Sequence, residues 1–387
     1  MDHLSDLLPD LLAAELPAAV ALRHRLHADP RLSGDEDDTA DAVCAAIGLP
    51  GTRVAGTGRV LRIGPATGPV VVLRAELDGL PLRERSGVEW ASTSDVMHAC
   101  GHDVHCAAVV AVARAARQVE LPHGVVVLLQ PREELAPVGA PDVLADPGFT
   151  VHDVRAVIGA HVQPVLPRGA VGTSEGAVNS SADELDILVT GPGGHGAYPH
   201  RTADPVLALA QVVVALHHLV SRRVDPLEAA VLTVGEMHAG SAPNIIPMQA
   251  SARATLRAMA PADRGMLQKA ARDVVTHTAA AYGCTGTLTV VDGEPALVND
   301  PALTRAAAAH LAGLGLAPAE FRSCGADDFS HYSAAMPSVM LFVGTDDGTP
   351  GSPGLHHPLF VPPDDVVGES ARAYLAGLLG AFDLLEA

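Results

Sequence analysis

The spacing of apolar positions along the first 180 residues predicts helices and buried strands in turn. Helical spacing covers residues 12–26 and 39–47, and a further helix is expected over residues 107–116. Continuous apolar runs, of the kind that a parallel sheet buries on both faces, occupy residues 70–73, 124–130 and 156–162. This alternation of strand and helix indicates an α/β fold with a mostly parallel sheet.

The pattern changes near residue 180, where the order β-α-β-β-α-β of a ferredoxin-like unit begins. Its predicted members are strands at residues 182–189, 229–237, 249–257 and 286–291, and helices at residues 204–222 and 262–282. The earlier pattern then resumes, with an apolar strand at residues 338–344. The sequence therefore predicts a discontinuous domain of residues 1–180 and 294–387, with residues 181–293 inserted as a second domain.

Length, composition and charge exclude some classes of protein. A chain of 387 residues exceeds one ordinary core, and 25 basic against 45 acidic residues leave a net charge of −20. Such a charge argues against binding to nucleic acids or anionic membranes. The five scattered cysteines fit a reducing compartment, no signal peptide is evident, and the longest apolar stretch, residues 206–220, is too short and too polar to cross a bilayer. We expect a soluble cytoplasmic protein.

The densest candidate chemistry lies in residues 97–105, which contain three histidines, one cysteine and one aspartate. Cys100 and His102 can both reach one metal ion, because Gly101 lets the backbone turn sharply between them. We expect this segment at a strand-to-helix turn, where a helix N-terminus favours a thiolate. The alternative is a buried cysteine beside a capping histidine.

Carboxylates and a histidine follow the predicted buried strands, and sites in open α/β sheets lie at such strand ends. Glu133 and Glu134 are adjacent, which is costly at a buried strand end unless a cation neutralises one of them. One would bind metal while the other acts as general base, and chemistry alone leaves open which does which. A solvated pair of loop charges is the alternative.

Further candidates are individually weaker. His161 ends a predicted strand and, taken alone, fits a satisfied core histidine better than a ligand. Either His356 or His357, in a Gly/Pro-rich loop, is a possible ligand, and a solvated loop is the alternative. Asp78 is a candidate for orienting a ligand imidazole, with a turn-forming role as the alternative. In the inserted domain, His195 lies on a glycine-rich loop, and Asn244 and Arg257 can bind a carboxylate; each also has an ordinary turn or surface explanation.

Taken together, these motifs resemble those of the metal-dependent amidohydrolases that include hippurate hydrolase, IAA-amino acid hydrolases and N-acyl-L-amino-acid amidohydrolases. The resemblance covers nearly the whole chain, and the motifs stand in the family's order. They occupy residues 24–30, 74–81, 97–105, 130–134, 159–164, 191–200, 240–247, 325–332 and 355–360.

The resemblance implies a catalytic α/β domain with an inserted ferredoxin-like lid and dimerisation domain. It implies two divalent metal ions bridged by Cys100, with Glu133 as general base and His195, often from the partner subunit's lid, stabilising the oxyanion. Asn244 and Arg257 would hold the substrate carboxylate. The remaining metal ligands would be His102, Glu134, His161 and His356.

The implied reaction is hydrolysis of the amide bond of an N-acyl amino acid by a hydroxide held between the metals, in a homodimer joined through the lid. Zinc suits the ligand set best, and manganese, nickel and cobalt are also compatible.

A dipeptidase or aminopeptidase on the same scaffold is the nearest alternative. A non-catalytic metal or amino-acid binding protein is disfavoured, since binding does not require Glu133. Departures from the family's pattern at Glu76, Arg132, Leu135 and Asp327 bear on substrate preference and leave every ligand position intact.

Overall fold

Two units make up the computed structural model, which describes residues 2–387. The first comprises Met1–Gly176, Val298–Phe321 and His331–Ala387, and the second comprises Ala177–Leu297 and Arg322–Ser330. Each has its own apolar core.

Ten helices are numbered in chain order among the described residues. They are α1 (Asp2–Ala28), α2 (Asp37–Ile47), α3 (His102–Ala116), α4 (Ala140–Ala145), α5 (Pro147–Thr150), α6 (Pro205–Arg223), α7 (Pro261–Ala281), α8 (Pro301–Leu311), α9 (Ser330–Ala335) and α10 (Asp365–Glu386). Short 3-10 turns lie at Pro199–Arg201 and Ala312–Leu314.

The strands are numbered in the same way. They are β1 (Thr52–Val54), β2 (Gly58–Ile63), β3 (Pro69–Glu76), β4 (Gly124–Gln130), β5 (Asp153–Pro167), β6 (Ala170–Gly172), β7 (Gly176–Asn179), β8 (Asp183–Thr190), β9 (Gly194–His195), β10 (Ala230–Ala239), β11 (Ile245–Ile246), β12 (Gln249–Ala258), β13 (Thr285–Val291), β14 (Leu297–Asn299), β15 (Ala317–Ala319) and β16 (Ser338–Asp346).

The first unit is built on an eight-stranded sheet in the order β1-β2-β4-β3-β5-β16-β6-β15. Its centre, β4-β3-β5-β16, is parallel throughout, and β1 and β2 add an antiparallel edge. The central strands are almost wholly buried because their apolar runs are covered by helices, as parallel sheets require. The predicted α/β fold with a mostly parallel sheet is confirmed.

Three local predictions for this unit were wrong. Helix α1 begins ten residues before residue 12, because Leu4 and Leu8 continue its buried stripe. Strand β5 runs past residue 162 through Pro167, paired with β16, so His161 lies within the strand and not at its end. The metal motif follows a long connection rather than a strand, and this connection is held by an antiparallel bridge between Leu80 and Met97.

The second unit contains a four-stranded antiparallel sheet in the order β10-β12-β8-β13. Its elements follow the sequence β8-α6-β10-β12-α7-β13, which confirms the predicted ferredoxin-like inserted fold. By length and composition alone α6 is apolar enough to cross a membrane, a test that core helices also pass. Here α6 buries Ala208, Leu209, Val212 and Leu216 in the core of this unit.

Candidate metal centre

A sharp turn at Gly101 separates the first two candidate ligands. Gly101 caps α3 with φ +84°, a left-handed conformation that favours glycine, and an added Cβ would lie 2.5 Å from Cγ2 of Val162. Helix α3 then begins at His102. Because of this turn, Cys100, which precedes α3, and His102, its first residue, lie side by side.

Main-chain carbonyls orient both buried imidazoles. The Nδ1–H of His102 donates to the carbonyl oxygen of Asp78 at 2.8 Å, and that of His161 donates to the carbonyl oxygen of Val162 at 2.8 Å. Both rings therefore present Nε2 to the site, and Nε2 of His161 lies 3.4 Å from Sγ of Cys100. The nearest carboxylate oxygen of Asp78 is 3.7 Å from Nδ1 of His102, so the backbone of Asp78, not its carboxylate, fixes this ring.

The Asp78 carboxylate orients the glutamate loop instead. Its Oδ2 accepts the backbone N–H of Glu134 at 2.9 Å and the hydroxyl of Ser33 at 2.7 Å. This contact brings both glutamates to the same imidazole: Nε2 of His102 is 3.8 Å from Oε2 of Glu133 and 3.9 Å from Oε1 of Glu134.

The structure distinguishes the two adjacent loop histidines. Nε2 of His356 lies 3.4 Å from Oε1 of Glu134, and its backbone N–H donates to the carbonyl oxygen of Ala99 at 2.9 Å. The Nδ1 of His357 instead accepts the N–H of Leu359 at 3.2 Å. Only His356 of this pair is brought to the candidate centre within the described residues.

Two groups of potential ligands share Cys100. One is Cys100, His102 and His161, the other is Cys100, Glu134 and His356, and the ligand atoms within each group all lie within 4.8 Å of one another. Nε2 of His102 and Oε1 of Glu134 are buried without a hydrogen-bond partner among the described residues. Thiolate, imidazole and carboxylate together form a set suited to divalent transition metals, so the residues present fit two such ions.

The electrostatics of the site favour a bound cation. Burial and the nearby charges of Glu134 and Glu133 raise the pKa of the Cys100 thiol well above its usual range. Burial also tends to raise the pKa of Glu134, but the imidazoles of His356 and His102 outweigh it and lower that pKa. A bound divalent ion would stabilise both anions.

A second layer of buried polar groups lies behind the ligands. His105 donates from Nδ1 to Oε2 of Glu76 at 2.9 Å and accepts the backbone N–H of Val162 at 3.0 Å. Burial lowers the pKa of His105 to about 4, so the ring is neutral at physiological pH. Glu76 also pairs with Arg74, which donates to Gln130 at 2.8 Å. The sequence linked Glu76 only to substrate preference and predicted no role for Arg74. Both lie on β3, and a charged residue inside an apolar strand was the available signal of a structural role.

The remaining candidates belong to the second unit. His195 on β9 pairs with Ile245 on β11, and the carbonyl oxygen of the exposed Asn244 accepts the N–H of Gly196 at 2.8 Å. Arg257 lies eight residues beyond Gln249 along β12, a path of about 26 Å. It donates to the carbonyl oxygen of Cys324 at 3.3 Å. One copy of this unit thus brings His195 and Asn244 together and leaves Arg257 at the other end of β12.

Comparison with known proteins decides the family. The sequence pattern of peptidase family M20/M25/M40 matches residues 72–378. The chain belongs to this family. M20/M25/M40 membership and the hydrolase relatives described next identify the protein as an enzyme that hydrolyses carbon–nitrogen bonds.

Several M20/M25/M40 relatives match over most of their length. The N-acetyl-L-cysteine deacetylase of Bacillus subtilis (strain 168) is 34% identical, over 88% of this chain and 82% of the relative. The IAA-amino acid hydrolase ILR1-like 4 of Arabidopsis thaliana is 34% identical, over 84% of this chain and 76% of the relative. The crystal structure of the Bacillus subtilis YXEP protein, a dinuclear metal binding peptidase from the M20 family, has a TM-score of 0.83 and 29% identity, and the alignment covers 97% and 99% of the two chains.

Replacing Gly101 by alanine tests the turn between the ligands. Gly101→Ala combines a left-handed alanine, which costs about 1–3 kcal/mol, with a clash against Val162. We expect lower thermal stability and weaker zinc binding, measured by competition with a chelator. Gly169→Ala is the matched control, because Gly169 has φ +79° and open space around its added Cβ. Equal zinc affinity in the two variants would show that the close approach to Val162 does not matter.

Proposed function

We propose that this enzyme hydrolyses the amide bond of N-acyl amino acids and releases a carboxylic acid and a free amino acid. The observation that carries the proposal is the pair of three-ligand groups sharing Cys100, with Glu133 beside them but outside both. The relatives named for N-acetylcysteine and for IAA-amino acid conjugates support this substrate class. A general base must lie beside the metal ligands without being needed to hold an ion.

In this proposal the ligands divide into two sets. His102 and His161 would hold one divalent ion, Glu134 and His356 would hold the other, and Cys100 would be available to both. When bound, the ions lower the pKa of water and polarise the scissile carbonyl. Glu133 removes the proton from the attacking water and delivers it to the leaving amine nitrogen. Asp78 supports this step indirectly, since its carboxylate fixes the backbone of Glu134 next to the base.

Zinc is the metal that we propose for both positions. Thiolate and imidazole are its preferred ligands, and manganese, nickel or cobalt would also bind this mixed set. We further propose a cytoplasmic location, which suits an enzyme whose five cysteines are all free thiols.

Substrate binding is proposed to need a homodimer joined through the second unit. The carboxylate and the scissile carbonyl of an N-acyl amino acid are separated only by the nitrogen and Cα. His195 and Asn244 lie near the Gln249 end of β12, and Arg257 is about 26 Å further along that strand. These residues of a single copy cannot serve both groups of one substrate. Two copies can. Exposed apolar side chains on α6 and β10, including Leu207, Val214 and Met237, offer a surface for such an interface.

A substrate screen tests the proposed reaction. Purified enzyme is assayed with N-acetyl, N-benzoyl and longer N-acyl amino acids and with free dipeptides, each with added zinc, manganese or cobalt. We expect turnover of N-acyl amino acids and little of dipeptides, because we identify no carboxylate that would bind a free α-amine. Turnover restricted to free dipeptides would instead identify a dipeptidase.

Glu133→Gln tests the general base. The amide keeps the shape of the side chain but cannot accept the proton, so we expect kcat to fall about 10²–10⁴-fold with metal content unchanged. Glu120→Gln, at an exposed position before β4, is the control and should retain wild-type kcat. Wild-type turnover in Glu133→Gln would rule out this role, and loss of metal would make Glu133 a ligand instead.

Mixing two inactive variants tests the dimer. If His195 acts on the partner's centre, a hybrid of His195→Ala and Glu133→Gln subunits contains one complete site. We expect co-refolded or exchanged mixtures to regain up to about a quarter of wild-type activity, assuming random pairing of subunits. Each variant alone and a mixture of two Glu133→Gln preparations serve as controls. No recovery despite demonstrated subunit exchange would show that His195 acts within its own chain.

A further inference from the structure

Two buried cationic side chains of α1 converge on one oxygen beside the candidate ligands. Arg23 and His27 are one helical turn apart, and both are fully buried. Nε of Arg23 donates to Oδ2 of Asp103 at 3.0 Å, and Nδ1 of His27 donates to the same oxygen at 3.0 Å. Asp103 directly follows His102 at the start of α3. The two side chains therefore fix the helix turn that carries a proposed ligand.

The other end of Arg23 reaches the segment that carries His356. Nη1 donates to Oδ1 of Asp364 at 2.9 Å, and Nη2 donates to the carbonyl oxygen of Pro362 at 2.6 Å. One guanidinium thus joins the start of α3 to the end of the loop that follows His356. Its planar set of donors can hold three acceptors in fixed directions, which a lysine ammonium cannot match.

His27 extends the same arrangement to the long connection before Cys100. Its Nε2 lies 3.2 Å from Oε2 of Glu84, which also accepts the backbone N–H of Ser92 at 2.7 Å. Burial tends to lower the pKa of His27, but Asp103 and Glu84 outweigh it and raise that pKa to about 9. The ring is therefore charged at neutral pH, and both of its nitrogens donate.

Packing alone does not explain this cluster. Burying ions costs more than filling the same volume with apolar side chains, and buried ion pairs are weak contributors to stability. Neither Arg23 nor His27 is a member of the two ligand groups that share Cys100. Together, Arg23 and His27 join three separate segments, and all three adjoin the candidate centre.

We propose that Arg23 and His27 are positioning residues that hold the His356 segment against the Cys100–His102 segment, so that Arg23 controls the affinity of the ion at Glu134 and His356. This inference rests on the proposed metal site. The ion at His102 and His161 is affected less, because those rings are fixed by the carbonyl oxygens of Asp78 and Val162. His356 has one such restraint, from its backbone N–H to Ala99, and its side chain is half exposed.

The chain contains its own reporter of this cluster. Trp90, the single tryptophan, stacks on His24 with ring centroids 4.3 Å apart and planes 13° from parallel. The guanidinium carbon of Arg23 lies 4.9 Å from the centre of the indole ring. Tryptophan emission from the metal-free protein therefore reports whether the cluster is intact, independently of turnover.

The test uses full-length protein with zinc as the probe. Arg23→Met removes the donors and keeps the length of the side chain, while Arg23→Lys keeps the charge. Arg25→Met is the matched control, since Arg25 is exposed on the same helix and bonds only to Ala21 of that helix. Zinc stoichiometry and the two affinities are measured by chelator competition, and Trp90 emission is recorded without metal.

We expect the wild-type enzyme and Arg25→Met each to bind two zinc ions. The affinity for each ion should be the same in the two proteins. Arg23→Met should keep the first ion within a factor of a few and bind the second about 10–100-fold more weakly, the range for lost outer-layer contacts to metal ligands. Its Trp90 emission should shift, and Arg23→Lys should restore the second affinity only in part.

Asp364→Ala covers the case in which Arg23→Met does not fold. The Asp364 carboxylate is 43% exposed and caps no backbone N–H at α10. Its removal leaves Asp103 paired and takes away one of the two contacts of Arg23 with the later segment, leaving the bond to the carbonyl oxygen of Pro362. We expect a weaker second zinc site here too. Two zinc ions bound with wild-type affinities in Asp364→Ala and in folded Arg23→Met would overturn the inference, even if thermal stability fell. Absence of zinc binding by wild type would instead contradict the proposed function.

Discussion

Buried negative charge beside the central strands of the parallel sheet is the constraint on which the rest of this structure depends. Cys100 and Glu134 lie together with little water around them, and burial alone would keep the thiol protonated. Divalent cations relieve this cost, since they favour thiolate and carboxylate in the same place. The surrounding fold keeps the ligand atoms together without neutralising them, because His102 and His161 use main-chain carbonyls, not carboxylates, as partners for their second nitrogens.

Charge is balanced in a second layer of buried groups around the candidate ligands. Behind the sheet edge, Glu76 is paired with the charge of Arg74 and accepts a hydrogen bond from the neutral His105. Beside α3, Asp103 is compensated by Arg23 and His27. The two arrangements differ in kind. The first lies mostly within β3 and α3 and orients neighbours, whereas the second joins segments far apart in the chain and can transmit a change in one to the others.

The sequence predicted the elements with strong periodicity and missed what depends on tertiary contacts. The strands of the inserted unit were predicted to within about two residues because alternation on a half-buried sheet is a clear signal. The residues alone could not decide between His356 and His357 as the candidate ligand, since two adjacent loop histidines differ only in backbone direction, and the prediction of His356 came from the family resemblance. Arg23 and His27 were overlooked although they stand next to Leu22 and Leu26 on the apolar side of α1. Their partners are about 60–340 residues away in the chain.

Strained backbone conformations occur next to the candidate centre. Among residues 2–387, the non-glycine residues with positive φ are Ala55, Arg132 and His356, and two of these three adjoin the candidate centre. Such conformations cost of order 1–3 kcal/mol each and persist only where surrounding contacts impose them. At Arg132 the backbone N–H is held by Glu36 at 2.8 Å, and the side chain is held by Asp142 at 2.5 Å.

The side chain of Arg132 therefore extends away from the candidate ligands. Its contacts hold the turn that directs Glu133 and Glu134 toward the candidate centre. This departure from the family's pattern, which the sequence linked to substrate preference, also anchors the loop that carries the proposed base.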